Sequence, residues 1–182
     1  DGLLIGSTRG WKIAKNNNIP RAFFINGMDR DIADFNKVLT QLQEHYGKTV
    51  CIPITFPVGQ GASFEKIVHI LKDENIPAEA EKFREQIMDT IAESDEELMM
   101  RYLDGEKLSE EEISSGLKSA VLNGSLVPVF AGSVEKDLGV EELMNGIVNL
   151  LPNPLAKENI KDANENNIPV KEDGTAIAKV FK

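Results

Sequence analysis

The sequence predicts an α/β fold that is interrupted by a block of helices. A short, nearly continuous apolar run at residues 21–26 is typical of a strand buried on both faces of a parallel sheet. Between residues 33 and 46, apolar residues recur at spacings of three and four, which predicts an amphipathic helix. A second apolar run follows at residues 50–56. Strand, helix and strand in this order favour an α/β unit over a helical bundle.

Local signals refine the ends of these elements. Residues 7–18 fit a helix that is capped by Ser7 or Thr8 and ends in a run of Asn. Pro53 lies inside the second apolar run. Because Pro cannot donate to a sheet ladder, it marks this run as an edge strand or a bulge.

A block of helices divides the α/β pattern into two parts. From residue 77 to residue 123 the apolar spacing is helical throughout. Ser109 followed by Glu112 fits a capping box that opens the last of these helices. The acidic clusters in this block are interpreted as solvated faces near helix N-termini, with a partner-binding face as the alternative.

The α/β pattern returns after this block. Residues 126–131 predict a buried strand, and the apolar spacing of residues 140–151 predicts an amphipathic helix. A polar segment rich in Asn, Lys and Glu follows, and residues 175–181 predict one more strand.

Composition excludes several classes of function. The 182 residues, 41% of them hydrophobic, are enough for one or two domains. A net charge of -10 argues against gripping DNA or RNA through a broad basic face. The single cysteine, Cys51, allows no intramolecular disulfide and is interpreted as a buried strand residue. No apolar run is long enough to span a bilayer, so we expect a cytoplasmic chain without a membrane segment.

A candidate binding motif, Asn26-Gly27-Met28-Asp29, follows the first predicted strand, where α/β folds usually build ligand sites. A carboxylate there can accept two hydrogen bonds from the N1 and N2 donors of guanine, so Asp29 is a candidate for guanine selection. Asn26 would brace the neighbouring loops and the base edge. Taken alone, however, these four residues more often form a turn that caps the next helix.

A second candidate, Ala131-Gly132-Ser133, ends the later predicted strand. Its backbone N–H groups and hydroxyl could meet the carbonyl oxygen of guanine. By itself this is ordinary loop chemistry. Two strand-end loops of complementary type, separated by a helical insert, are what a guanine pocket at one edge of a sheet would require.

The chain resembles the translational GTPases of the elongation factor G type along almost its whole length. The matching segments occur in the family's order: Trp11-Lys12, Ile19-Pro20-Arg21, Asn26-Gly27-Met28-Asp29-Arg30, Ala33-Asp34-Phe35, Pro57-Val58-Gly59, Asp95-Glu96-Glu97-Leu98-Met99, Tyr102-Leu103-Asp104-Gly105-Glu106, Pro128-Val129-Phe130, Gly132-Ser133, Gly139-Val140 and Leu151-Pro152-Asn153-Pro154. The resemblance implies part of a P-loop-GTPase-type sheet flanked by helices, with an α-rich insert subdomain.

The resemblance also implies a binding site for the base of GTP or GDP. Asn26 and Asp29 match the family's Asn-Lys-x-Asp guanine motif, and Gly132 and Ser133 match its Gly-Ser-Ala loop. Met28 flanks the first motif. Guanine nucleotide is therefore the implied cofactor.

Two residues depart from the family pattern. Gly27 stands where the family has Lys, so the aliphatic stem that lies along the base is missing and weaker binding is expected. Val134 replaces Ala, which is a smaller change because that position contributes chiefly its backbone. Arg30 is either a partial replacement for the Lys or a solvated residue at a helix start.

The family's phosphate and catalytic motifs do not occur in this sequence. It contains no glycine-rich phosphate loop, switch threonine or Asp-x-x-Gly segment. We therefore assign no catalytic residue and no magnesium ligand to it, and expect the chain alone to be inactive as a GTPase. His45 and His69 do not match the family's catalytic His and are interpreted as surface or packing residues.

The resemblance divides the chain into four parts. Residues 1–56 and 125–156 correspond to the later part of the GTP-binding domain, and residues 57–124 to a mostly helical subdomain inserted in it. Residues 157–174 are expected to be a linker. Residues 175–182 would start the following β-barrel domain.

The function implied by the resemblance is that of a GTP-binding elongation factor in translocation on the ribosome. Its partners would be the ribosome, including the stalk protein through the helical insert, and guanine nucleotide. Two alternatives stay open at this point. The chain could be a nucleotide-independent module that docks a ribosomal partner, or part of a ribosomal protection protein.

Overall fold

The computed structural model describes residues 2–156, 159–162 and 165–174. The chain divides into two compact units, Asp1–Leu151 and Pro152–Lys182. The elements of the first unit follow one another in this order: α1 (Ile5–Asn16), β1 (Phe23–Asn26), α2 (Phe35–Tyr46), β2 (Cys51–Pro53), β3 (Thr55–Val58), β4 (Lys66–His69), α3 (Ala78–Ala92), α4 (Glu96–Leu103), α5 (Glu110–Asn123), β5 (Val127–Gly132) and α6 (Val140–Leu150).

Three parallel strands form the main sheet of the first unit, in the order β1, β5, β2. Every residue of β2 and β5 is buried, which explains why both strands have continuous rather than alternating apolar runs. Helices flank this sheet, so the predicted α/β fold is confirmed. β5 lies at the centre of this sheet. It follows the helical block in the sequence and pairs with β1 and β2, which both precede that block.

α2 begins and ends where its sequence directs. The Asp34 carboxylate accepts a hydrogen bond of 2.9 Å from the backbone N–H of Lys37, which satisfies one free donor of the first turn. Gly47 follows the helix with a φ of 120°, a conformation that favours glycine. Phe35 and Leu39 are buried, so the predicted apolar face points into the core.

α1 differs from its prediction at the N-terminal end. The helix begins at Ile5 and has no side-chain hydrogen bond at its N-cap, so the predicted cap at Ser7 or Thr8 is wrong. The backbone N–H of Leu3 donates to Oε1 of Gln41 at 3.2 Å. This bond ties the chain to α2 just ahead of the helix.

The helical block forms α3, α4 and α5, and it belongs to the same compact unit as the sheet. The predicted capping box is confirmed, because Ser109 and Glu112 each accept a hydrogen bond from the other's backbone N–H. α3 and α5 approach closely at Gly116, where an added Cβ would lie 2.6 Å from Cγ2 of Ile91. The assignment of residues 57–124 to a separate, mostly helical subdomain stays a prediction.

An antiparallel hairpin of β3 and β4 corrects the prediction of one strand over residues 50–56. β2 ends at Pro53, and the chain then leaves the main sheet. Ile54 makes the passage: its N–H donates to the carbonyl of Val129 at 2.9 Å, and its own carbonyl accepts from Ile70 at 2.9 Å. The apolar run at residues 50–56 therefore contributes strands to two sheets. Its hydrophobicity alone could not indicate where the first strand ends and the second begins.

The second unit contains a short antiparallel pair, β6 (Asn159–Lys161) and β7 (Asn167–Pro169). The sequence predicted a polar linker over residues 157–174. Asp162 closes the connection, because its side chain accepts a hydrogen bond of 2.8 Å from the N–H of Asn166. The strand predicted at residues 175–181, and with it the start of a barrel domain, lies outside the described residues.

Candidate functional site

The two candidate motifs lie side by side in the folded chain. β1 and β5 are parallel neighbours, and their last residues, Asn26 and Gly132, are paired in the ladder. The loops that follow therefore leave the sheet at the same edge, where open α/β sheets bind ligands. The structure brings together all the predicted site residues that follow these strands.

Asn26 joins the two loops through its side chain. Its Oδ1 accepts hydrogen bonds from the N–H of Val134 at 3.0 Å and from the N–H of Gly27 at 2.8 Å. A backbone bond reinforces the connection, because the N–H of Met28 donates to the carbonyl of Gly132 at 3.1 Å. This network connects the two loops, and the contact of Asn26 with the edge of a base stays a prediction.

The first motif forms a turn anchored by a buried side chain. Gly27 has a φ of 81°, and its carbonyl accepts a hydrogen bond of 3.1 Å from the N–H of Arg30. Met28 is only 2% exposed and fixes the turn to the core. The turn that these residues suggest in isolation is therefore present, and it holds the side chains of Asp29 and Arg30 outside the core.

A third loop supports the first motif, and sequence reasoning did not assign it to the site. The carbonyl of Met28 accepts a hydrogen bond of 2.7 Å from the N–H of Gly61. Nearby, Oε1 of Gln60 accepts from the N–H of Phe35 at 3.2 Å, at the start of α2. The Gly-Gln-Gly segment after β3 is the signal that could have pointed to a structured loop here.

The Asp29 carboxylate is electrostatically prepared to accept hydrogen bonds. A hydrogen bond from the Ser133 side chain holds the pKa of Asp29 below its ordinary value, and the positive charges of Lys136 and Arg30 act in the same direction. Ser133 is fully buried, whereas Asp29 is partly exposed. The carboxylate is therefore ionised at neutral pH and open to a ligand on its solvent side.

The second motif requires glycine and is closed by its own backbone. A Cβ on Gly132 would overlap the carbonyl oxygen of Leu138, so the two segments could not approach with a larger residue. Ser133 and Leu138 exchange backbone hydrogen bonds of 2.8 and 3.0 Å. The N–H of Ser133 is thus engaged, as is that of Val134 with Asn26. For either N–H to meet a guanine carbonyl, as predicted, its present bond would have to be shared or exchanged.

A cavity of about 460 Å³ adjoins the site without including all of it. Gly27, Met28 and Arg30 contribute to its lining, but Asp29 and Ser133 do not. The carboxylate therefore lies on an open surface beside the cavity. A base bound at Asp29 would need further cover on its faces.

The two histidines lie away from these loops. His69 ends β4, and burial lowers its pKa to about 4, so it is neutral at physiological pH. His45 is exposed on the last turn of α2, with Nδ1 3.0 Å from the carbonyl oxygen of Gln41. Neither ring contacts the candidate site.

Among the described residues, no helix is both long and apolar enough to cross a bilayer.

Known proteins match both the sequence and the fold. The family model of the elongation factor Tu GTP binding domain matches residues 1–153. An elongation factor G-like protein of Thermotoga maritima is 32% identical over an alignment of 197 positions, which covers all of this chain and 29% of that protein. The crystal structure of ttk003000868 from Thermus thermophilus superposes with a TM-score of 0.73 at 26% identity, covering 85% of this chain and 26% of that one. The chain thus spans less than a third of the length of either relative.

Proposed function

The chain belongs to the family of the elongation factor Tu GTP binding domain, which comprises translational GTPases and includes elongation factor G-like proteins. We propose that it supplies guanine recognition to a factor that acts in ribosomal translocation. Such a factor would work in the cytoplasm. The observation that carries the proposal is the ionised Asp29 carboxylate, held by Ser133 where two neighbouring strands end.

The arrangement suits guanine because the recognising group is a fixed acceptor. Asp29 would accept hydrogen bonds from N1 and N2 of the base, two donors that adenine does not present together. Asn26 joins the two loops, so the acceptor and the Gly132-Ser133 segment keep their spacing before the ligand arrives. The affinity is then not reduced by the cost of ordering both loops.

The phosphates would be held by groups that these residues do not provide. The sequence has no glycine-rich phosphate loop, and a magnesium ion in this family serves the phosphates rather than the base. The residues present fit the base of GTP or GDP. They provide selectivity for the base and add only part of the affinity.

Titration with paired nucleotides tests this proposal. In the full-length protein that carries this chain, calorimetry should show GDP binding at least about tenfold tighter than ADP. The two ligands have the same phosphates, so the ratio reports on the base alone. Equal affinities would refute guanine recognition.

The helical block carries a surface that favours an accessory docking role. On α4, Met100 and Leu103 are 68% and 74% exposed, and the acidic residues Glu96 and Glu97 lie on the same helix. Apolar contacts ringed by charge are usual at protein–protein interfaces. We infer that this surface docks a ribosomal partner, with the stalk protein as the candidate.

The docking role can be tested separately from nucleotide binding. Leu103→Asp should weaken binding of purified stalk protein by about tenfold, since it places a charge on the apolar surface. Val148→Asp is the matched control, because Val148 is similarly exposed, at 73%, but lies on α6. Equal effects of both substitutions, or none, would contradict docking through α4.

A further inference from the structure

The side chain of Arg30 lies across the bare backbone of Gly27. A Cβ built on Gly27 would be 3.2 Å from Cδ and 3.3 Å from Nε of Arg30. The aliphatic stem of Arg30 therefore fills the space where a side chain at position 27 would begin. Both residues also line the cavity beside the site.

The backbone keeps Arg30 in this place. Its N–H donates to the carbonyl of Gly27 at 3.1 Å, which closes the turn between them. The buried side chain of Met28 fixes that turn to the core, and the N–H of Gly61 supports it from the third loop. Arg30 is thus attached to a rigid turn rather than to a free loop.

The guanidinium of Arg30 is available for a ligand. The residue is exposed, and its side chain makes no hydrogen bond or ion pair with any other described residue. The other nearby cation, Lys136, has its Nζ 5.9 Å from the ring centroid of Phe64 and so lies over that ring. The charge of Arg30 acts on the neighbouring Asp29 carboxylate without a direct bond to it, so the guanidinium is exposed to a ligand beside Gly27.

We propose that Arg30 stacks on the face of the guanine base and replaces the side chain that Gly27 lacks. The inference rests on the proposed guanine recognition, because Asp29 would contact the base edge and leave its faces uncovered. A planar guanidinium packs well on an aromatic face, whereas an ammonium provides charge without a flat surface. Arg30 would therefore contribute affinity for the base, and Asp29 would determine which base is bound.

A set of four variants in the full-length protein tests this role, with GDP titrated by calorimetry. Arg30→Ala should weaken GDP binding by about five- to tenfold, and Arg30→Lys should recover little of that loss. In a Gly27→Lys background, Arg30→Ala should change affinity by less than about twofold, because a Lys stem would already cover the base. The melting temperature without nucleotide should change little, since the Arg30 side chain is exposed and makes no hydrogen bond or ion pair with the described residues.

The outcomes separate this proposal from guanine recognition itself. GDP affinity within about twofold of wild type in Arg30→Ala would overturn the stacking role. Full recovery in Arg30→Lys would overturn it as well, since charge alone would then suffice. If Asp29→Asn still lowers GDP affinity in those cases, guanine recognition stands without Arg30. If wild-type protein does not prefer GDP to ADP, both proposals fail.

Discussion

At the residue scale, Gly27 sets the strength of the proposed site. Its φ of 81° suits glycine, and an L-residue there would lower stability by about 1 to 2 kcal/mol. The strain of that conformation is common to every non-glycine residue at position 27, so two such variants share the same cost to folding. A side chain at this position can therefore change affinity independently of stability.

We expect Gly27→Lys to tighten binding of GTP, because an aliphatic stem would cover one face of the base. The gain should be roughly 5- to 30-fold relative to Gly27→Ala when both variants also carry Arg30→Ala, because Arg30 then covers no part of the base and the two variants differ only in the stem. Calorimetric titration of both variants with GTP measures this ratio. Equal affinities in the two variants would show that no base lies against position 27.

The sequence identified the polar residues of the proposed site but not the loop that supports them. Asn26, Asp29 and Ser133 could be identified because they follow apolar runs that end at one sheet edge. The engagement of Gly61 with Met28 could not be predicted, since it joins residues that are distant in the chain through backbone atoms alone. The course of the Arg30 side chain depends in the same way on the turn that only the folded chain shows.

At the scale of elements, an ion pair links α4 to the cap of α5. Arg101 bonds Glu112 at 2.5 Å and Glu106 at 2.9 Å. Hydrogen bonding to Arg101, together with the backbone of Ser109, lowers the pKa of Glu112 from 4.5 to about 2. The folded state thus binds the proton on Glu112 more weakly than the unfolded state does.

This shift predicts a pH-dependent part of the stability. Because the folded pKa is the lower one, the contribution of Glu112 is fully present above pH 4.5 and is lost as the pH falls towards about 2. Glu112→Gln should therefore be less stable than wild type at pH 7, and most of this difference should be lost at about pH 2. Urea unfolding at both pH values measures this. A stability difference that is the same at both would contradict the assignment.

The contact between α3 and α5 gives a second prediction at this scale. A methyl group at position 116 would lie 2.6 Å from Cγ2 of Ile91, which is fully buried. Gly116→Ala should therefore destabilise the chain by about 1 to 3 kcal/mol, although alanine favours a helix. The matched control is Gly10→Ala in α1, where an added Cβ meets nothing within 4 Å. Denaturation midpoints of both variants test the prediction, and a stabilised Gly116→Ala would refute it.

The elements with strong periodicity could be predicted from the sequence. The passage of the chain from the main sheet into the β3–β4 hairpin could not. α2, α5 and α6 have regular apolar spacing and clear ends, such as Gly47 and the box at Ser109. The β3–β4 hairpin was missed because its first strand continues the apolar run of β2 without a turn signal. Pairing between Thr55 and His69 is a long-range choice that the local pattern does not contain.

At the scale of the whole molecule, the proposed site would supply base recognition without phosphate chemistry. We therefore expect the 182-residue chain alone to release phosphate from GTP no faster than buffer. A phosphate-release assay on the purified chain measures this. Turnover that exceeds the buffer rate and is lost in Asp29→Asn would contradict the expectation, since contaminating activity would survive the substitution.

The central claim is that Asp29 selects guanine, and base selectivity after its substitution tests it most directly. In Asp29→Asn, an amide donor replaces one carboxylate acceptor, and xanthine presents a carbonyl oxygen where guanine presents its amine. In the full-length protein, the variant should bind GTP about tenfold or more weakly than wild type and should prefer XTP to GTP. An unchanged preference for GTP over XTP in Asp29→Asn would mean that the base is recognised elsewhere.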